Sequence, residues 1–149
     1  VQVYGYYGQT GNVVLNTRPA PYIRPIGTVV AEGDTGSEVA NLIVYLEDAA
    51  GNPYASPTPV SVNWTTVDIP SNPLVAHPGS DYIANSGVLT FAPGQTQATV
   101  PVTVLGDTID EPPLLYGEWG LASFTGPSSN ALVKQNFFGL ALLIIVDDD

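Results

Sequence analysis

Carboxylate side chains are concentrated in four short stretches of the sequence, and their chemistry is that of ligands for a hard cation. The stretches are EGDTG at 32–36, the aspartate after VNWTTV, GDTIDE at 106–111, and the terminal run in ALLIIVDDD. Nine of the fourteen acidic residues lie there: Glu32, Asp34, Asp68, Asp107, Asp110, Glu111, Asp147, Asp148 and Asp149. Two unit charges 4 Å apart repel by about 1 kcal/mol in water. If brought together, these groups need raised pKa values or a bound cation.

The rest of the composition favours Ca²⁺ as that cation. The three basic residues, Arg18, Arg24 and Lys134, lie outside the acidic stretches. Carboxylates with backbone carbonyls suit Ca²⁺ better than Mg²⁺, which keeps more of its waters. The chain has no cysteine and one histidine, which disfavours zinc or copper. His77, in a proline-rich loop, is predicted to be an ordinary surface residue.

The residues give little indication of nucleic-acid binding or of catalysis. A net charge of −11 repels polyanions, so nucleic acid is excluded as a partner. There is no phosphate-cradling glycine loop, no nucleophile elbow and no Ser/His/Asp arrangement. A glycosidase carboxylate pair is disfavoured, because the cation cluster accounts for the acids. We therefore expect no enzyme activity.

Length and patterning predict one all-β domain. The 149 residues suffice for one core, and no apolar run is long enough for a membrane span. No signal peptide is visible. Because the chain starts at Val1 and lacks Met, we expect a processed mature chain or an excised piece, which permits export.

Seven segments read as strands, from alternation or β-branched and aromatic content between turn residues. They are 26–31, 39–47, 59–67, 81–91, 97–105, 114–124 and 139–146. The predicted fold is a seven-stranded antiparallel two-sheet sandwich, immunoglobulin-like in architecture. The predicted inward residues are Ala40, Leu42, Val44, Leu46, Val60, Val62, Trp64, Leu89, Phe91, Val100, Val102 and Val104. If successive strands alternate in direction, the first, third, fifth and seventh all end at one pole. The nine acids follow those four ends.

Five motifs, in order, resemble the Calx-beta domain, a family found in sodium/calcium exchangers and many bacterial surface proteins. The motifs are VVAEGDTGSEVANLIVYL, PVSVNWTTVD, the GSDYIANSGVLTFAPGQT segment, VPVTVLGDTIDE and IIVDDD. The resemblance covers 26–149. It implies a calcium-binding sandwich whose metal ligands correspond to Glu32, Asp68, Asp107, the Ile109 carbonyl, Glu111, Asp147, Asp148 and Asp149.

The chain also departs from the family pattern. Gly106 stands where strong calcium binders have an aspartate, and Leu114 occupies a ligand position. A longer segment, DIPSNPLVAHPGSDY, replaces a short family turn after the third strand. We therefore expect fewer or weaker ions than in the exchanger domains.

Two apolar features lie outside the family pattern. Residues 1–25 precede the first family strand and contain strand-like pieces, which makes them either an extra strand on their own domain or a donor strand for a neighbouring copy. The last strand, LALLIIV, does not alternate, so both of its faces are predicted to be buried. The N-terminal extension is the candidate cover, in cis or from another subunit.

Together these patterns predict a non-catalytic, extracellular, calcium-binding structural or adhesive module at the cell surface. The expected partner is the chain itself, in an oligomer or filament built by strand addition, with a cell-surface or glycan partner also open. The alternatives are a calcium-sensing regulatory domain and a carbohydrate-binding sandwich. In the latter, Tyr4, Tyr6, Tyr7 and Trp119 would stack on sugar.

Overall fold

Ten β-strands make up the regular structure of the residues that can be described. The structure is a computed structural model and describes residues 2–4, 10–12, 19–72, 75–109, 118–135 and 139–146. The strands are β1 (Gln2–Tyr4), β2 (Thr10–Asn12), β3 (Tyr22–Ala31), β4 (Gly36–Glu47), β5 (Val60–Val67), β6 (Ser86–Phe91), β7 (Gln97–Gly106), β8 (Glu118–Thr125), β9 (Leu132–Val133) and β10 (Leu140–Val146). Among the described residues, no helix is long and apolar enough to cross a membrane.

Hydrogen bonding divides these strands into two sets. β1 and β2 form an antiparallel pair of their own. The others follow the order β6-β5-β8-β10-β3-β4-β7, and β9 also pairs with β3. The two ends of this path, β6 and β7, approach each other, so the strands enclose one core between two layers.

The core confirms the predicted inward faces. All twelve residues predicted to point inward are buried, and none is more than 8% exposed. Alternation places successive side chains on opposite faces of a strand, which is why the sequence determines these faces. β7, which contains Pro101, lies at the end of the path, where a missing N–H costs least.

The prediction of an all-antiparallel sandwich is wrong in one respect, because β3 pairs in parallel with both β9 and β10. β3 and β10 run in the same direction and end at the same pole. Because they are neighbours in the sheet, they can only pair in parallel. β3 first pairs with β4, shifts register between Pro25 and Gly27, and then pairs with β10. Gly27 has φ +108°, and a Cβ there would lie 1.9 Å from the Leu142 carbonyl oxygen. Only glycine fits this crossing.

The strand boundaries differ from the predicted ones mainly at two places. β3 begins at Tyr22, four residues before the predicted start. β6 begins at Ser86, because Tyr82 instead forms an isolated bridge with Val104. Of the predicted sixth strand, residues 114–117 lie outside the described part of the chain.

Two of the three basic residues are placed at the pole where β3 begins. The buried Glu47 carboxylate forms ion pairs with the Arg24 guanidinium and with the Lys134 ammonium, the latter at 2.9 Å. The Arg24 guanidinium also lies 5.2 Å from the centre of the Tyr45 ring. These contacts join β3, β4 and the segment after β9, and they place positive charge far from the predicted cation site.

Candidate metal centre

The ends of β3 and β10 meet at what we call the acidic pole, the end of the sandwich where β3, β5, β7 and β10 stop. The Glu32 backbone N–H donates to the Val146 carbonyl over 3.1 Å. Glu32 is the residue after β3, and its side chain is buried. Asp147, Asp148 and Asp149 follow Val146 directly in the sequence and lie outside the described residues.

The end of β7 packs against the same turn. A Cβ on Gly106 would lie 2.1 Å from the Gly33 carbonyl oxygen and 2.9 Å from that of Glu32. The following residue, Asp107, accepts a hydrogen bond from the Ile109 N–H at 2.7 Å. Glycine at 106, noted as a departure from the family pattern, therefore allows the close approach of two loops. Asp107 is the residue that directly follows this contact in the chain.

The end of β5 supplies Asp68, but this carboxylate already has a partner. The Asp68 Oδ1 lies 3.0 Å from the His77 Nδ1, and this hydrogen bond is the main cause that raises the pKa of His77. The expectation that His77 is an ordinary surface residue is therefore wrong. The long segment after β5 folds back, and it places an imidazole on a predicted ligand.

Two carboxylates that the sequence analysis did not select lie inside this pole. Asp81 is 6% exposed and Glu118 is 9% exposed. Asp81 accepts a hydrogen bond from the His77 backbone N–H at 2.5 Å. Glu118 begins β8 opposite Ile145, and Gly120, Ala122 and Phe124, which share its face, are also buried. The sequence did contain a sign of this burial. Side chains alternate between the two faces of β8, and Glu118 is an even number of residues from Ala122 and Phe124, which face the core.

Glu118 sits in an environment that disfavours its charge. Burial raises its pKa to about 7, with further contributions from the charge and hydrogen bond of Asp81 and from the charge of Glu32, while His77 acts in the opposite sense. A hydrogen bond between two carboxyl groups requires a proton on one of them. The raised pKa identifies Glu118 as the carrier. Its Oε2 is buried and has no hydrogen-bond partner.

Asp81 and Glu32 both raise the pKa of Glu118, and a proton on Glu118 relieves part of the repulsion among the three carboxyl groups. An unpartnered buried carboxylate oxygen is costly, and a hard cation among carboxylates would remove that cost and the mutual repulsion together. The donor chemistry therefore fits Ca²⁺. Within the described ranges, however, no three Asp, Glu or His side chains form a group arranged to bind a metal ion.

The predicted ligands divide into two groups. Glu32, Asp68, Asp107 and Ile109 are described at or beside the acidic pole; Glu32 and Asp107 flank the contact between β3 and β7, and Asp68 pairs with His77. Glu111, Asp147, Asp148 and Asp149, together with Leu114, lie outside the described residues. The described part of the chain thus presents a portion of the predicted ligand set.

Comparison with known proteins decides the family. The model of the Calx-beta domain matches residues 35–148. The chain belongs to the Calx-beta family. A search by sequence against curated proteins found no match.

Solved Calx structures share this Calx-beta fold. The apo form of the Calx CBD1 domain is 23% identical, with 86% of this chain and 99% of that chain covered and a TM-score of 0.60. CBD12 of CALX1.2 is 22% identical, with a TM-score of 0.63 and coverage of 85% of this chain and 46% of that one. CBD12 of CALX1.1, described as a calcium binding domain, is 21% identical over 87% of this chain and 46% of its own, with a TM-score of 0.59. At these identities the likeness establishes the β-sandwich fold.

Proposed function

We propose that this Calx-beta domain is a non-catalytic module that binds Ca²⁺ at its acidic pole. The observation that carries the proposal is the buried Glu118 oxygen without a partner, beside Asp81 and Glu32. The ligands would be Glu32, Asp107, Glu118 and the acids of 110–111 and 147–149, with the Ile109 carbonyl. Membership of a family with calcium-binding relatives supports the same ion.

The predicted ligand Asp68 is left out of this set because it already has a partner. Its bond to His77 competes with a cation for the same carboxylate. Gly106 removes a further carboxylate that strong calcium binders of the family carry. Both features favour weak binding, in the millimolar range that suits modules working outside the cell, where Ca²⁺ is abundant.

Calorimetric titration with Ca²⁺ tests the metal proposal. The wild-type chain should bind Ca²⁺ with release of protons near pH 7, because the Glu118 proton must leave. Glu118→Gln should weaken binding about tenfold or more, which corresponds to about 1.4 kcal/mol. Glu38→Gln is the matched control, since Glu38 is an exposed carboxylate on β4. Equal affinities for the two variants would remove Glu118 from the site.

We further propose that the module is extracellular and serves as a building block of a cell-surface assembly, joined through its N-terminal segment by strand addition. The support is the separate β1–β2 pair, since an isolated two-stranded hairpin is marginally stable in water and gains from joining another surface. The regulatory-sensor and carbohydrate-binding alternatives stay predictions.

Size-exclusion chromatography and negative-stain microscopy of the full chain, with and without Ca²⁺, test the assembly. The proposal expects concentration-dependent oligomers or filaments. A monodisperse monomer under both conditions, with protease-sensitive residues 1–21, would contradict it.

A further inference from the structure

Among the described residues, one broad face of the sandwich carries no charged side chain. It is the outer face of β6, β5, β8 and β10 together with β3 from Gly27 onward, and the register of these strands determines which side chains share it. Its residues are Ser86, Val88, Thr90, Ser61, Asn63, Thr65, Val67, Trp119, Leu121, Ser123, Thr125, Leu140, Leu142, Ile144, Val146, Gly27, Val29 and Ala31. We call it the neutral face. For a chain of net charge −11 this is unusual, and depletion of charge is typical of the centre of protein interfaces.

The part of the neutral face nearest the acidic pole is apolar and open to solvent. Trp119, Ile144 and Val29 lie side by side on β8, β10 and β3. Trp119 is 47% exposed and Val29 is 62% exposed. The outward residues of β10 are half-buried up to Ile144, and Val146 is exposed, so the prediction that both faces of this strand are buried is only partly met. An apolar sheet face of this kind indicates a binding surface.

The N-terminal segment matches this face in chemistry. Residues 1–17, VQVYGYYGQTGNVVLNT, contain no charged side chain, and the first charged residue is Arg18. They are rich in valine and tyrosine, which suit the surface of a sheet. In the described part of the chain, β1 and β2 pair only with each other. An uncharged, strand-forming segment and an uncharged sheet face are complementary.

The direction in which the chain leaves the domain favours a second copy as the partner. β3 runs toward the acidic pole, so the chain before Tyr22 leaves from the opposite pole, where the Pro21 carbonyl accepts from the Leu132 N–H. The sequence RPAP at 18–21 is stiff, since each proline also favours an extended conformation in the residue before it. Reaching its own Trp119 would require the segment to reverse. A segment that continued in this direction would instead meet the acidic pole of a copy stacked end to end.

We propose that residues 1–17 of one copy dock on the neutral face of the next, over Trp119, Ile144 and Val29. This inference rests on the proposed assembly and changes its mode of contact: the segment packs on a sheet face rather than adding to a sheet edge. Copies joined in this way are related head to tail. Such a contact leaves a free segment at one end and a free face at the other, and it generates rings or filaments rather than closed dimers.

Cross-linking between two single-cysteine populations tests the contact, because the natural chain has no cysteine. Full-length Val3→Cys, carrying a mass tag, is mixed with untagged Val29→Cys and treated with a short bis-maleimide. The matched control replaces Val29→Cys by Val39→Cys, since Val39 is 54% exposed on β4, in the other layer. The hetero-cross-linked product should be about tenfold more abundant with Val29→Cys.

Two results would overturn the inference. One is equal yields from Val29→Cys and Val39→Cys; the other is a Val3→Cys/Val29→Cys double variant that cross-links only within one chain at all concentrations. Sedimentation velocity of the wild-type chain separates the two proposals. Oligomers without the Val29 cross-link would overturn the docking surface and leave the assembly standing, whereas a monomer at every concentration would overturn both.

Discussion

At the scale of single residues, Glu118 titrates differently in the folded and the unfolded chain. Its pKa rises from 4.5 to about 7 on folding, chiefly through burial. Between these values the folded chain holds a proton that the unfolded chain has lost, so stability falls as the pH rises through this window and stays lower above it.

Glu118→Gln should remove this pH dependence, because its amide does not ionise. With a chelator present to remove Ca²⁺, the wild-type chain should lose stability as the pH rises from about 4.5 to about 7, and the variant should not lose this contribution. Melting temperatures measured across this range provide the test. Parallel curves for the two chains would show that Glu118 titrates normally.

Gly106 is a second residue whose identity is set by its contacts. Gly106→Ala places a Cβ against the Gly33 carbonyl, so the turn after β3 must shift. We expect a loss of about 1–3 kcal/mol in the free energy of unfolding, measured with urea. Thr108→Ala, at an exposed position two residues further on, is the control and should change stability by less than about 0.5 kcal/mol. A neutral Gly106→Ala would mean that the two loops are not in contact.

At the scale of elements, the Glu47 ion pairs hold the start of β3 against β4. Glu47→Gln leaves Arg24 and Lys134 without their counter-charge, and both cations are partly exposed, which moderates the cost. We expect a loss of about 1–3 kcal/mol in unfolding free energy, measured by urea denaturation. Glu38→Gln, an exposed carboxylate on the same strand, should lose less than about 0.5 kcal/mol. Equal effects would assign no special role to the Glu47 pairs.

The sequence predicted the strands whose side chains alternate cleanly, such as β4, β5 and β7, because alternation reports which face is buried. It did not predict the parallel pairing of β3 with β10, since alternation says nothing about which strand is the neighbour. It also placed the start of β3 too late, because Pro25 belongs to a proline-rich stretch that is not typical of a strand, whereas the structure has a bulge between Pro25 and Gly27 inside β3.

The candidate site was predicted with the same strengths and gaps. Chain direction places the ends of β3, β5 and β7 at one pole, and Glu32, Asp68 and Asp107 follow these ends; the acids after β10 stay a prediction. Asp81 and Glu118 were not selected, because an acid within a strand-like segment is normally taken to face solvent. His77 was misjudged because its contact with Asp68 depends on the path of the intervening loop, which local sequence does not encode.

At the scale of the whole molecule, charge is separated along the sandwich. One pole collects the carboxylates, the other holds the Arg24–Glu47–Lys134 cluster, and the neutral face runs between them. A cation at the acidic pole would reduce the repulsion among the acids beside the apolar part of that face. Assembly through residues 1–17 should therefore strengthen when Ca²⁺ is added.

Sedimentation velocity at low salt tests this link between the metal and the assembly. The weight-average sedimentation coefficient of the wild-type chain should rise on addition of Ca²⁺ and fall again with chelator. Glu118→Gln should respond less than wild type, and Glu38→Gln should respond as wild type does. If the chain binds Ca²⁺ but its sedimentation coefficient does not change, calcium binding and assembly are independent of each other.

The most direct test of the central claim, a calcium site built around Glu118 at the acidic pole, is the melting temperature of the full chain at neutral pH in chelator and in excess Ca²⁺. At ten times the dissociation constant, binding contributes about 1.4 kcal/mol, which raises the melting temperature of a chain of this size by roughly 3–6 °C. We expect that rise for wild type and for Glu38→Gln, and a much smaller one for Glu118→Gln. A wild-type melting temperature that does not change between chelator and Ca²⁺ would contradict it.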